Sequence, residues 1–180
     1  MSLQFENMYH NMQVSEQALN RVIDAANTAV KYKAKYLEVQ QAVNTPWYLI
    51  AAIHYRESNF NFGTHLHNGD SLTKRTVHVP TGRPVQGHPP FTWVFSAIDA
   101  LKMDNLTHLQ GTTIGEQLAA LERYNGIGYS KYHFMFTPYL WAGTQFYEAG
   151  KYTADGKFSA TAIDKQVGCA PLIREMLTRS

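Results

Sequence analysis

Trp47-Tyr48-Leu49-Ile50-Ala51-Ala52-Ile53-His54-Tyr55 is apolar nearly all round. Such a run predicts a central helix with no wet face. It gives way to Arg56-Glu57-Ser58-Asn59. Just upstream, Asn44-Thr45-Pro46 stops one helix and opens this one, with Thr45 as N-cap and Pro46 at the first helical position. The earlier helix starts after Ser15 and carries Leu19, Val22, Ile23, Ala26, Ala29 and Val30 on one face. It continues less cleanly through Tyr36, Leu37, Val39 and Val43.

Downstream, the helical period disappears from Asn59 to Pro90. Asn68-Gly69-Asp70 and Thr81-Gly82-Arg83-Pro84 read as turns, and Thr76-Val77-His78-Val79 alternates like a strand. The segment 59–90 is therefore expected to be a small irregular β-hairpin lobe, kept narrow by its prolines. Helices return with a Phe91, Val94, Phe95, Ile98 and Leu101 stripe. A capping box at Thr113-Ile114-Gly115-Glu116 leads into Leu118 and Leu121. A helix from Thr137-Pro138 runs through Tyr147 to a Gly150 cap. A last helix runs from about Thr161, with Ile163, Val167, Leu172, Ile173, Met176 and Leu177 inward, and is kinked at Pro171. The fold class expected is α+β: one mostly helical domain over 1–180 with the 59–90 lobe inserted.

Composition fits that picture. The chain has 180 residues, 44% apolar and 17% charged, which is globular rather than disordered. A chain of this length buries roughly 70% of its unfolded surface without staples. The single cysteine, Cys169, excludes an internal disulfide framework and a multi-cysteine zinc site; a small buried side chain is expected there. No apolar run reaches the ~18 residues of a membrane span. Met1 to Gln13 lacks the basic-then-apolar pattern of a secretory leader. Sixteen Lys and Arg against 14 Asp and Glu leave a net charge of +2, too small and scattered to argue for nucleic acid. Eleven Tyr, 9 Phe and 3 Trp suit a core or a groove that stacks on sugar rings. Trp47, Trp93 and Trp141 sit on helical apolar stripes and are expected in the core. Tyr129 and Tyr132 are the better sugar platforms by position.

Three polar features carry chemistry. Glu57 closes a helix expected to be buried, and burial raises a carboxyl pKa. A carboxylic acid that keeps its proton near neutral pH is what protonates a glycosidic oxygen. Asp70 follows thirteen residues later in a turn, and glycoside hydrolysis generally uses a second carboxylate across the bond. Tyr124-Asn125-Gly126 offers uncharged hydrogen-bonding groups on a loop with a permissive backbone. His54, mid-helix, is expected to be a hydrogen-bonded core or cleft-edge histidine.

Arg56-Glu57-Ser58, a hairpin lobe with Gly69-Asp70, and Arg123-Tyr124-Asn125-Gly126 in that order resemble the lysozyme superfamily. The likeness is to goose-type lysozymes, soluble lytic transglycosylases and phage endolysins, and it covers Trp47 to Tyr129 at motif level. It implies Glu57 as general acid and Asp70 as the water-positioning base. It also implies Ser58, Tyr124, Asn125 and Gly126 as substrate-lining groups; Tyr129, by its position just past that loop, and His67, as a polar cleft residue, are expected beside them. The family's Gly-Leu-Met-Gln-like segment is missing; Thr73-Lys74-Arg75-Thr76-Val77-His78-Val79 stands in that stretch. Thr73 or Thr76 is then the alternative water-holding residue, as in phage-type lysozymes. The function expected is a peptidoglycan-cleaving muramidase, by hydrolysis or by transglycosylation, acting on the glycan strand. It needs no cofactor or metal, binds no nucleic acid, inserts into no membrane and is expected to be a monomer. The localisation is unassigned; phage-lysin-like release and a virion-associated lysin both fit.

Two rival readings remain. One is a glycan-binding module of the same fold without catalysis. The other is a zinc-dependent cell-wall hydrolase using His65, His67 and Asp70, because two histidines and a carboxylate can hold a catalytic zinc.

Overall fold

The computed structural model describes residues 1–179. It is 51% helical with one small antiparallel sheet, a mostly helical α+β fold. The chain forms two compact units: Thr28–Gly111, and Met1–Asn27 together with the chain from Thr112 onward. Helix α2 (Glu16–Lys31) begins in one and ends in the other. No helix among the described residues is long and apolar enough to cross a membrane.

The Thr28–Gly111 unit is built on α3 (Lys33–Val43), α4 (Trp47–Ser58) and α5 (Trp93–Met103). Helix α3 packs against both of the others. Every residue of α4 from Leu49 to His54 is fully buried, as its all-round apolar pattern requires. Burying side chains such as Leu49, Ile50 and Ile53 contributes roughly 1.5–3 kcal/mol each. The helix is not capped as expected. Pro46 is its N-cap residue, and Thr45 turns its hydroxyl away to donate to the Leu106 carbonyl. The Gln40 side chain takes over, accepting from the Trp47 N–H at 2.7 Å.

Helix α5 is capped by Thr92, whose hydroxyl accepts from the Phe95 N–H. Its buried face is Trp93, Ser96, Ala97, Ala100 and Leu101, rotated from the expected stripe. Phe95 is 41% exposed. Ser96 faces inward because it donates to His65 Nδ1 at 2.7 Å, while His65 Nε2 donates to the Lys74 carbonyl.

The expected hairpin lobe is not a sheet. Between 59 and 90 the only bridge is Thr64 with Ser71. Side chains hold the backbone instead. Thr76 donates to the Pro80 carbonyl and accepts from the Arg83 N–H, and Arg75 donates to the Gly87 carbonyl. Four prolines in eleven residues leave too few N–H donors for a ladder.

In the other unit, α1 (Ser2–Asn11), which the sequence reading missed, packs on α6 (Ile114–Asn125). The Thr113–Glu116 capping box is formed as expected. Helices α7 (Gly128–His133), α8 (Pro138–Trp141) and α9 (Cys169–Thr178) follow. Helix α8 ends at Trp141, well short of Tyr147. Helix α9 starts at Cys169 rather than near Thr161, so Pro171 lies in its first turn, where a missing N–H costs nothing and no kink follows. Cys169 is fully buried, while Ile163 and Leu177 are exposed. The sheet is here: β1 (Lys151–Ala154) pairs antiparallel with β2 (Lys157–Ser159) around the Asp155-Gly156 turn.

Candidate functional site

Glu57 is the penultimate residue of α4. The helix stops by putting Asn59 and Phe60 in the left-handed region, at φ 52° and 63°. Their N–H groups return to the Tyr55 and His54 carbonyls, which satisfies the helix end. The Ser58 hydroxyl also donates to the His54 carbonyl, so Ser58 serves the helix end.

Beneath this exit lies an aromatic cluster. The ring of His54 is 4.4 Å from that of Trp93 and 4.6 Å from that of Phe62. His54 Nε2 donates to the Asn61 carbonyl and Nδ1 accepts from the Tyr36 hydroxyl. His54 is thus a satisfied core histidine. Burial pushes its pKa down to about 4, so it is neutral at physiological pH.

Glu57 itself is exposed. This corrects the expectation of a dry carboxyl.

Asp70 is not an open base either. Its Oδ2 accepts from the Val77 and His78 N–H groups at 2.7 and 3.0 Å, and Oδ1 accepts from His78 Nδ1 at 2.7 Å. The backbone and imidazole donors of His78 hold the carboxyl far below the usual range. Asp70 therefore stays ionised and is a poor proton acceptor.

The threonines divide. Thr76 is 3% exposed with its hydroxyl committed to the 76–83 turn, so it cannot hold a water for substrate. Thr73 is exposed and its hydroxyl pairs with Ser71.

The histidine pair is structural. His67 donates from Nε2 to Asp99 Oδ2 at 2.7 Å, with its side chain wholly buried. This corrects its expected place on a substrate surface. Burial, opposed by Asp99, lowers its pKa. Asp99 also pairs with Arg83 at 2.8 Å. Both nitrogens of His65 and both oxygens of Asp70 are taken, so the expected zinc triad is not assembled. Among the described residues no group of three or more His, Cys, Asp or Glu is placed to hold a metal.

Arg83 and Asp99, with Val85, Gln86, Phe95, Ile98 and Lys102, line a half-open cavity of about 380 Å³. No local pattern in these residues signals it, because it depends on the rotation of α5.

In the other unit, Tyr124 and Asn125 end α6, and Gly126 follows at φ 97° with open space where a Cβ would stand. Asn125 Nδ2 donates to the Thr137 hydroxyl at 3.3 Å, and that hydroxyl accepts from the Tyr139 N–H to cap α8. Tyr129 is 9% exposed, with its ring against Tyr152 and Phe158 and its hydroxyl accepting from the Tyr152 N–H. It is not a sugar platform. Tyr132 and Phe134 are open, at 63% and 92%; Phe134 carried no signal in the sequence. No family model, curated protein or solved structure matches this chain.

Proposed function

We propose that this chain is a peptidoglycan-cleaving muramidase in which Glu57 protonates the glycosidic oxygen. The observation that carries the reading is the setting of that carboxyl. It is exposed near the end of a helix whose residues from Leu49 to His54 are fully buried. The backbone after it is fixed by two left-handed residues and an aromatic cluster. A general acid must be both accessible to a polymer and rigidly placed. A glycan strand lying against the helix exit would remove water from Glu57 as it binds, and the drying that raises its proton affinity would come from substrate. The positive charge growing on the sugar ring is then met by the fixed dipoles of the site. The Tyr124-Asn125-Gly126 loop enters this reading through its sequence match alone.

The test is Glu57→Gln. The amide fills the same space and has no proton to give. Clearing of a cell-wall suspension is expected to slow by about 10²-fold or more, with an unchanged thermal melt. A folded variant that clears at the wild-type rate would overturn the reading.

A further inference from the structure

Asp70 hands its expected role to a neighbour. The two oxygens of its carboxylate are spent on the His78 imidazole and on two consecutive N–H groups. Asn68 Nδ2 donates to the His78 carbonyl at 3.0 Å, and Asn68 Oδ1 accepts from the Asp70 N–H. His78 is thus gripped at its N–H, its carbonyl and its ring. Yet its side chain is 79% exposed. An exposed side chain ordinarily keeps its rotamer freedom. This one is held at a single orientation with Nδ1–H on a carboxylate. The neutral ring then carries its lone pair on Nε2, an atom with no partner among the described residues. Asp70 is also the only charged group among them within ion-pair distance of His78.

The loop carrying this pair is tied to the exit of α4. Asn61, whose carbonyl accepts from His54, also accepts from the Thr64 hydroxyl. Thr64 bridges to Ser71, the residue after Asp70. The Asp70 carbonyl accepts from the His65 N–H at 2.7 Å.

We propose that His78 is the general base of the reaction and Asp70 the residue that positions it. This rests on the muramidase reading above. Nε2 takes a proton from a water as that oxygen bonds to the anomeric carbon. The bond from that carbon to the bridging oxygen breaks, and the bridging oxygen takes the proton of Glu57. Solvent returns one proton from His78 to Glu57, so the balance is one water added per bond cut. The outcome is hydrolysis, not ring closure to an anhydro sugar.

His78→Asn is the decisive variant. Its amide NH₂ stands where Nδ1–H does and keeps the bond to Asp70, but nothing replaces Nε2. A structural histidine predicts near wild-type turnover from it. A base predicts kcat lower by about 10²-fold, little change in KM, and loss of the acid limb of the pH–rate profile. Asp70→Asn is expected to lie between the two. Wild-type kcat with an intact acid limb in His78→Asn overturns the assignment, as do anhydro products from the wild type. Glu57→Gln in the same assay separates the two claims. If it is dead while His78→Asn is fully active, the muramidase reading stands and the base assignment falls. If Glu57→Gln is fully active, or the wild type cuts no glycan, both fall.

Discussion

The hydroxyl of Tyr36 donates to Nδ1 of His54 across 3.0 Å in a wholly buried position. The same imidazole donates from Nε2 to Asn61, so it is folded in as the neutral form. An unfolded chain protonates this histidine near its ordinary 6.5, and the folded chain not until about 4. The unfolded state therefore binds more protons between those values, and stability falls as pH falls. The contribution is complete above about pH 6.5 and costs the fold up to about 3 kcal/mol by pH 4. Asp70, held below its ordinary 3.8, acts in the opposite chemical sense but also favours the fold at higher pH; its contribution is lost only below 3.8. Denaturant midpoints measured from pH 7 to pH 4 are expected to drop more steeply for the wild type than for His54→Gln. Parallel curves would contradict the assignment.

The contact of α1 with α6 depends on a glycine. A Cβ at Gly115 would overlap the carbonyl oxygen of Ser2 and approach the Glu6 N–H within 2.9 Å. Glu6 also accepts from the Gly115 N–H at 2.6 Å. Backbone gives little, so Gly115→Ala is expected to cost about 2 kcal/mol. Limited proteolysis is expected to release the first helix sooner. An unchanged melting temperature would show that α1 contributes little.

Asp99 holds two donors at once, His67 and Arg83. Asp99→Ala leaves a wholly buried imidazole N–H and a guanidinium without their acceptor. The expected loss is about 3 kcal/mol, because breaking a mostly buried pair strands the partners. Asp99→Asn keeps an acceptor and is expected to recover part of it. Thermal unfolding of the two variants checks this, and equal losses would contradict it.

The helices with strong local signals were legible in the sequence. Helix α4 is apolar without interruption, and the Thr113–Glu116 box names its own helix start. Where the reading went astray, a side chain was satisfied by something distant in sequence. Ser96 turns inward because His65 meets it, which rotates α5 and leaves Phe95 and Ile98 beside a cavity. Gln40, not Thr45, caps α4 because Leu106 claims the threonine. The alternation at Thr76-Val77-His78-Val79 looked like a strand, but Asp70 takes two of its N–H groups. Of the candidate site, Glu57 was legible as a helix-ending acid, while its exposure was not. Asp70 was found as a residue and misread in role, since nothing local shows that His78 folds onto it.

The products of wild-type digestion test the central claim most directly. Sacculi digested to completion and resolved by mass are expected to yield disaccharide–peptide fragments with the glycan cut and each peptide still attached. Each new sugar end is expected to be reducing and to carry one added water. Digestion in a chelator is expected to give the same pattern. Fragments cut at amide bonds, with glycan strands left at full length, would contradict it.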